Sequence, residues 1–303
     1  MNNIITVLTQ NILPIFIVAA FGYGLHRWKR LDIRPLSTIV MNCLSPALVF
    51  SSLVNSQLPG QELADIALFA VLNIMIMGGI GLLVSRLLRL SRRDTAALLI
   101  VIMFVNGGNY GLTLNQLRYG EAGLARAVVY YLTSTMILYT LGIFIASAGH
   151  LSLGQAARRL VTFPAVYAAV LAIIVYNWQI ELPGPLLRGI EIAGAGAIPV
   201  MLLVLGMQIA RVQGRPDGRL SISAISLRLL IGPLVGIFVA GLVGLSGFSR
   251  STSIIEASMP PAVFTIILAT EFNLQPSAVT GIVVISTLLS PFTIAAVITL
   301  AGL

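Results

Sequence analysis

The chain has 303 residues, of which 57% are hydrophobic and only 9% are charged. A soluble globular domain carries roughly a quarter charged residues, so this composition excludes an ordinary water-soluble fold. The net charge of +8 does not indicate a nucleic-acid partner, because the basic residues lie in short segments between apolar stretches rather than on one polar face. We therefore expect an all-α integral membrane protein surrounded by a lipid bilayer.

The sequence offers little for catalysis. A single cysteine, Cys43, excludes an intramolecular disulfide, and we expect it to be a buried packing residue. The two histidines, His26 and His150, are too few for a metal cluster. The sequence has no phosphate-binding glycine motif and no dinucleotide fingerprint. We expect no enzyme activity, no catalytic residue, no metal and no cofactor.

Ten apolar stretches have about the length that crosses a bilayer, which is roughly 20 residues. They predict ten transmembrane helices, spans 1 to 10, over residues 3–26, 34–54, 62–90, 94–117, 122–148, 161–179, 186–210, 222–248, 253–271 and 276–301. The first stretch is followed by a basic cluster and not by a small-residue cleavage site, so we interpret it as a retained span rather than a signal peptide.

Basic residues mark one side of the membrane. Fourteen of the eighteen Lys and Arg residues fall in the loops after spans 1, 3, 5 and 7 or at adjoining helix ends, where we include Arg228. By the positive-inside rule this side is cytoplasmic. Both termini are then predicted on the extracytoplasmic side of the membrane.

Weak internal repetition divides the spans into two halves. Pro46 of span 2 and Pro199 of span 7 lie 153 positions apart, and the same offset carries Asn106 of span 4 onto Met259 of span 9. Many transporters consist of two inverted halves. We predict a first repeat at 1–148, a short cytoplasmic linker at 149–160 and a second repeat at 161–303. An odd number of helices per half makes the second repeat inverted.

Span 4 carries the first concentration of polar residues. Three glycines and two asparagines lie between Asn106 and Gly111, and these are poor helix formers. We expect the helix to break here, near the middle of the bilayer. The alternative is a glycine-rich packing face whose asparagines bond only to neighbouring helices.

Span 9 carries a matching interruption. Pro260 and Pro261 lack the amide hydrogen that a continuous helix needs, although a simple kink is the alternative. Glu256 lies one turn earlier, and an ionisable residue inside a membrane span is a functional hypothesis by default. It would carry a proton or a cation, or else reach the outer surface.

Two broken helices in corresponding positions are a good indication of a transporter binding site. The second half-helices would begin near Tyr110 and Ala262, and helix N-termini suit a carboxylate. A small organic anion is the expected ligand. The predicted substrate-binding residues are Asn106, Gly107, Gly108, Asn109, Tyr110, Met259, Pro260 and Pro261.

These segments resemble the auxin efflux carrier family. The resemblance rests on the motifs beginning at Leu44, Asn106, Pro260 and Ile285, and it extends over essentially the whole chain. It implies two inverted five-helix repeats with broken, crossing helices four and nine. It also implies a scaffold of helices 1, 2, 6 and 7, and a transport domain of helices 3–5 and 8–10 that moves like an elevator.

The resemblance implies transport of a mono- or dicarboxylate such as malonate or malate, or of an auxin-like acid. The short linker is typical of a bacterial-type member, and the resemblance then implies a bacterial inner (plasma) membrane. H⁺ and Na⁺ both stay open as coupling ions, and so does a homodimer. Two other functions also stay open: a sodium-coupled symporter of the bile-acid carrier type, and a membrane sensor that does not transport.

Overall fold

The computed structural model describes residues 4–56, 58–147, 152, 154–155, 158, 161, 163–211 and 218–303. The chain is helical throughout these residues, apart from short connections and one isolated β-bridge. Most of the predicted linker at 149–160 lies outside the described residues, and so does His150.

Eleven helices of eight residues or more make up the described part of the chain. They are α1 Ile4–Lys29, α2 Arg34–Ser56, α3 Gly60–Leu87, α4 Arg92–Met103, α5 Gly107–Ala146, α6 Pro164–Asn177, α7 Gly184–Ala210, α8 Gly218–Val243, α9 Gly247–Ala257, α10 Phe264–Glu271 and α11 Pro276–Leu300.

Among these helices, seven are long and apolar enough to cross a membrane: α1, α2, α3, α5, α7, α8 and α11. The predicted spans 4 and 9 are not continuous helices. Span 4 is divided between α4 and the start of α5, and span 9 is divided between α9 and α10, so α4, α9 and α10 have only 12, 11 and 8 residues. The predicted span 6 corresponds to α6, which has 14 residues. The ten-helix arrangement in inverted repeats stays a prediction.

Helix α5 contains one non-helical residue. Gly120 has φ 63° and ψ −153°, a combination that is essentially restricted to glycine. The chain therefore changes direction at Gly120, where the predicted span 4 ends and the predicted span 5 begins.

Large apolar side chains cover the outside of the molecule. Trp28 is 76% exposed, Phe21 67%, Phe292 66% and Phe238 64%, and a water-soluble protein does not present so much apolar surface. Lipid is the solvent that fits this surface. Cys43 is exposed as well, so the prediction that it is buried was wrong. A small apolar side chain can face lipid without the penalty it would meet in water.

Close backbone contact joins α1 to α7. A Cβ atom at Gly22 would overlap the carbonyl oxygen of Leu203, and a Cβ atom at Gly206 would overlap that of Ala19. Small residues allow such an approach between membrane helices. Helix α2 packs beside α6 and α7, whereas α3 packs against α4, α5 and α8, and α9 packs against α5 and α8.

Gly22 and Gly24 provide a matched test of this packing. Gly22→Ala should lower the free energy of unfolding by about 1–3 kcal/mol, because the new methyl group forces α1 away from α7. Gly24→Ala, two residues away with nothing within 4 Å of the new atom, should be neutral or stabilising by up to about 1 kcal/mol. Thermal unfolding of the two purified variants in detergent measures the difference. Equal melting temperatures would contradict the contact.

Candidate functional site

The first helix break follows α4. The hydroxyl of Ser91 caps this helix by accepting a hydrogen bond from the Asp94 amide (3.1 Å), and the helix ends at Met103. Phe104 is extended, with φ −111° and ψ 123°. Asn106, with φ −78° and ψ 56°, is the last residue before the chain becomes helical again at Gly107. The interruption predicted in span 4 is thus present, with its extended part at 104–106.

The second break separates α9 from α10. Helix α9 ends at Ala257 and α10 begins at Phe264, so residues 258–263 lie between two distinct helices. Pro260 and Pro261 have no amide hydrogen to continue the helical ladder. The alternative of a simple kink does not describe this segment.

The two breaks pair with each other. The Asn106 amide donates to the Pro260 carbonyl (2.8 Å), and the Ala262 amide donates to the Phe104 carbonyl (2.9 Å). Val105 and Pro261 face each other in an antiparallel bridge. They occupy the pair of positions that exchange no hydrogen bonds, so proline costs nothing there. Each break thereby satisfies backbone groups that lipid could not.

A cavity of about 200 Å³ adjoins this bridge. Within the described part of the chain, no charged side chain lines it. Its lining comes from the two breaks and from α2, α5, α7 and α10. The aromatic rings of Tyr139, Phe163 and Phe264 form one end, and the Tyr139 centroid lies 5.4 Å from Phe163 and 5.2 Å from Phe264.

Four of the eight predicted binding residues line this cavity, namely Asn106, Gly107, Gly108 and Asn109. The other four, Tyr110, Met259, Pro260 and Pro261, do not appear in its wall. The Tyr110 ring is fully buried and packs edge-to-face on Phe16, with centroids 5.8 Å apart. Met259 is also fully buried, and Pro260 contributes its carbonyl oxygen to the bridge. The role of all eight residues in binding stays a prediction.

Asn106 is a polar residue of the cavity wall that directly follows Val105 of the bridge. It is 5% exposed, and its Nδ2 atom has no hydrogen-bond partner in the part of the chain that the structure describes. A buried donor without a partner is costly. Asn106 therefore borders the cavity with one hydrogen-bond donor that the described residues leave unpaired.

Helix N-termini also reach the cavity. Asn106 to Asn109 at the start of α5, and Ala262 to Phe264 at the start of α10, all line it. The first amides of a helix have no partner within that helix, and the helix dipole adds partial positive charge there. The cavity wall is therefore electropositive at the starts of α5 and α10, although no charged side chain among the described residues lines it.

Glu256 lies behind the glycine-rich segment and not in the cavity wall. Its side chain is fully buried and accepts a hydrogen bond from Asn115 Nδ2 (3.1 Å). A Cβ atom at Gly107 would lie 2.7 Å from Glu256 Oε2, and one at Gly111 would overlap the carboxylate. The alternative in which Glu256 reaches the outer surface was wrong, because the glycines let the carboxylate pack inward against the break.

Arg228 is the main residue that the sequence interpretation misplaced. It was counted among helix-end charges on the cytoplasmic side, but it is fully buried, ten residues into α8. Its Nη1 donates to the Ile102 carbonyl (2.7 Å), and its Nη2 donates to the Ala257 carbonyl. The physical reason is that both carbonyls lie at helix C-termini, which attract a cation.

The cavity wall from α2 and α7 also escaped sequence analysis. It includes Ser45 of α2 and Gln208 of α7, and the Oε1 atom of Gln208 has no hydrogen-bond partner among the described residues. A glutamine two residues from the end of an apolar helix is a weak signal that could have indicated an inward-facing polar group.

The family described as membrane transport protein matches residues 7–298 of the chain. A protein described as an uncharacterized transporter, from Methanothermobacter thermautotrophicus, is 29% identical over 93% of this chain and 94% of its own length. A similar protein from Methanocaldococcus jannaschii is 22% identical over 86% of this chain and 87% of its own length.

Plant relatives match over a shorter region. The probable auxin efflux carrier component 1b of Oryza sativa subsp. japonica is 28% identical over 44% of this chain and 25% of its own length. The auxin efflux carrier component 1 of Arabidopsis thaliana is 26% identical over 44% of this chain and 22% of its own length. The extent of the family match shows that this chain belongs to the membrane transport protein family that includes the auxin efflux carriers, and that it is a multi-pass membrane transporter rather than an enzyme.

Proposed function

We propose that this protein is a secondary carrier of a small organic anion, either a mono- or dicarboxylate such as malonate or malate, or an auxin-like acid. The observation that carries the proposal is the meeting of two helix N-termini and the unpartnered Asn106 amide at one cavity. Helix N-termini bind carboxylates through free amides and partial positive charge. Asn106, Gly107, Gly108 and Asn109 would contact the anion directly.

The size of the cavity favours a small acid. Its volume of about 200 Å³ is below the range of roughly 300–1,000 Å³ that is typical of sites for drug-sized ligands. The aromatic rings at one end would pack against the carbon skeleton, while the electropositive side would bind a carboxylate. The plant relatives are named auxin efflux carriers, which fits a substrate that combines these two features.

We also propose the ten-helix arrangement in two inverted repeats. Val105 and Pro261, which face each other in the bridge, are 156 positions apart, close to the offset of 153 found in the sequence. The two carbonyls that Arg228 binds, at Ile102 and Ala257, are 155 positions apart. Helices α4 and α9 begin 155 positions apart, at Arg92 and Gly247.

Hydrogen bonds between helix ends support the same topology. Arg126 Nε bonds Glu62 (2.7 Å) and Ser249 (3.1 Å), which joins the starts of α3, α9 and the second part of α5. Gln275 donates to Asp94 (3.2 Å), which joins the starts of α4 and α11. In the ten-helix topology the first three ends are extracytoplasmic and the last two are cytoplasmic, with both termini outside.

The position of the cavity fits an elevator-type movement. Helices α1, α2, α6 and α7 would form the scaffold, and the remaining helices would form the transport domain. The cavity is lined both by α2 and α7 and by the two breaks. A substrate bound at the breaks would travel with the transport domain past the scaffold.

Cysteine labelling tests the topology. In a Cys43→Ser background, we expect Glu181→Cys and Ser246→Cys to react in intact cells with a membrane-impermeant maleimide. Arg93→Cys should react only after permeabilisation, since α4 begins on the cytoplasmic side. All three positions are exposed. Reaction of all three from the same side would contradict the ten-helix topology.

Asn106→Ala tests the binding site. Because Asn106 Nδ2 has no partner among the described residues, its removal should leave the melting temperature nearly unchanged. A hydrogen bond to a charged group contributes about 1.5–3 kcal/mol, so carboxylate affinity should fall roughly tenfold to a hundredfold. Malonate, malate and indole acids would be screened for thermal stabilisation and for uptake into proteoliposomes.

The matched control is Asn42→Ala. The Asn42 amide donates to Thr38 of its own helix (2.9 Å) and does not line the cavity, so affinity should not change. Unchanged ligand stabilisation and unchanged uptake in Asn106→Ala would refute the site assignment.

We further propose that Glu256 carries a coupling proton. Its carboxylate is buried against the first break, and its Oε2 atom has no partner among the described residues. Tyr130 of α5 interacts electrostatically with both Glu256 and Arg228, so these three ionisable groups belong to one buried cluster. A change of protonation at Glu256 would act on the segment that binds the substrate.

Glu256→Gln should retain the hydrogen bond from Asn115 and therefore fold normally, but its uptake should no longer vary with pH. Glu181→Gln, at an exposed position between α6 and α7, should keep the pH dependence of the wild type. Initial uptake rates between about pH 5 and 8 provide the measurement. A Glu256→Gln protein with the full wild-type pH profile would remove Glu256 as the proton carrier.

A further inference from the structure

Arg228 lies where a charged side chain is expensive. It is fully buried in the middle of α8, a helix long and apolar enough to cross the membrane. Charged residues at such depth are rare and require partners. Helix α8 leaves space for the guanidinium group, because a Cβ atom at Gly232 would overlap it.

The hydrogen-bond acceptors of Arg228 within the described part of the chain are backbone carbonyls, and none of them belongs to an acidic side chain. Ile102 lies one residue before the end of α4, and Ala257 is the last residue of α9. The last carbonyls of a helix have no partner within that helix and carry partial negative charge. One guanidinium group therefore binds the negative ends of both helices that precede the breaks.

Interrupted helices of transporters commonly use these same groups for another purpose. Unwound carbonyls and the C-terminal ends of half-helices coordinate the Na⁺ ion that is coupled to transport. We propose that Arg228 is a built-in cation that takes the place of a bound metal cation at the C-terminal ends of α4 and α9. It acts as a positioning residue, because it does not contact the cavity.

This arrangement separates the charges of the four helix ends. The two negative ends meet at Arg228, while the two positive ends, at the starts of α5 and α10, meet at the cavity. The carbonyls that would bind Na⁺ are already occupied. Transport should therefore not require Na⁺, and this consequence rests on the proposed function. The replacement of a metal cation by Arg228 can be tested by binding and stability alone, without a transport measurement.

The test compares wild type, Arg228→Ala, Arg228→Lys and the control Arg93→Ala, an exposed arginine at the start of α4. Each purified full-length protein is melted in sodium chloride and in N-methyl-D-glucamine chloride of equal ionic strength. Binding of ²²Na⁺ is measured in parallel. Methylguanidinium, which has the shape and charge of the missing group, is added to Arg228→Ala to test whether the vacated space is accessible to a cation from solution.

Wild type, Arg228→Lys and Arg93→Ala should melt at the same temperature in both salts and bind no ²²Na⁺. Arg228→Ala should melt several degrees lower than Arg93→Ala without Na⁺. Added Na⁺ should recover part of this loss and bind saturably, because a ligand of the native state raises its stability.

Saturable ²²Na⁺ binding by the wild type would overturn the proposal. The proposal would also be overturned if Arg228→Ala melted at the same temperature as Arg93→Ala without Na⁺. It would be overturned as well if Na⁺ failed to raise the melting temperature of Arg228→Ala, whether or not methylguanidinium raised it. If Arg228→Ala does not fold, the wild type and Arg228→Lys decide, since Na⁺ binding by either contradicts a resident cation. Failure of every protein to transport a carboxylate would count against the proposed function and would leave these binding results valid.

Discussion

Two backbone hydrogen bonds, between Phe104 and Ala262 and between Asn106 and Pro260, are the constraint on which the rest of the structure depends. A membrane interior offers no water to unpaired amides and carbonyls, so neither break could exist alone. Because each break pairs with the other, both helices can end and restart inside the protein. The two helix N-termini at the cavity follow from that pairing, and the glycines of the first break let Glu256 pack beside it.

The pairing also explains how an uncharged cavity can suit an anion. Each break ends one helix and begins another, so it creates a negative C-terminal end and a positive N-terminal end. The two kinds of end lie at different places in the fold. The positive ends of α5 and α10 line the cavity, and the negative ends of α4 and α9 are neutralised by Arg228. Under the proposed function, the cavity would need no lysine or arginine of its own, which would add the cost of burying a full charge.

The sequence predicted those features that local chemistry decides. Glycine, asparagine and proline determine where a helix must stop, so both breaks were found within a few residues. Features that depend on distant partners were missed. Tyr110 belongs to the break in the sequence, but the helical turn that begins at Gly107 directs its ring onto Phe16. In the sequence alone, Arg228 resembles a loop charge. Its partners are far away along the chain, because Ile102 lies 126 residues before it and Ala257 lies 29 residues after it.

The contact between α1 and α7 has a mechanical consequence. With the carbonyl oxygens of Ala19 and Leu203 pressed against Gly206 and Gly22, a small shift along either axis would drive backbone atoms into each other. The opposite surface of α7 presents Met201 and Val204 to the cavity, and methionine adapts its shape easily. One face of α7 is therefore closely packed against α1. If the proposed elevator-type movement occurs, the cavity side of α7 is the side at which it would take place.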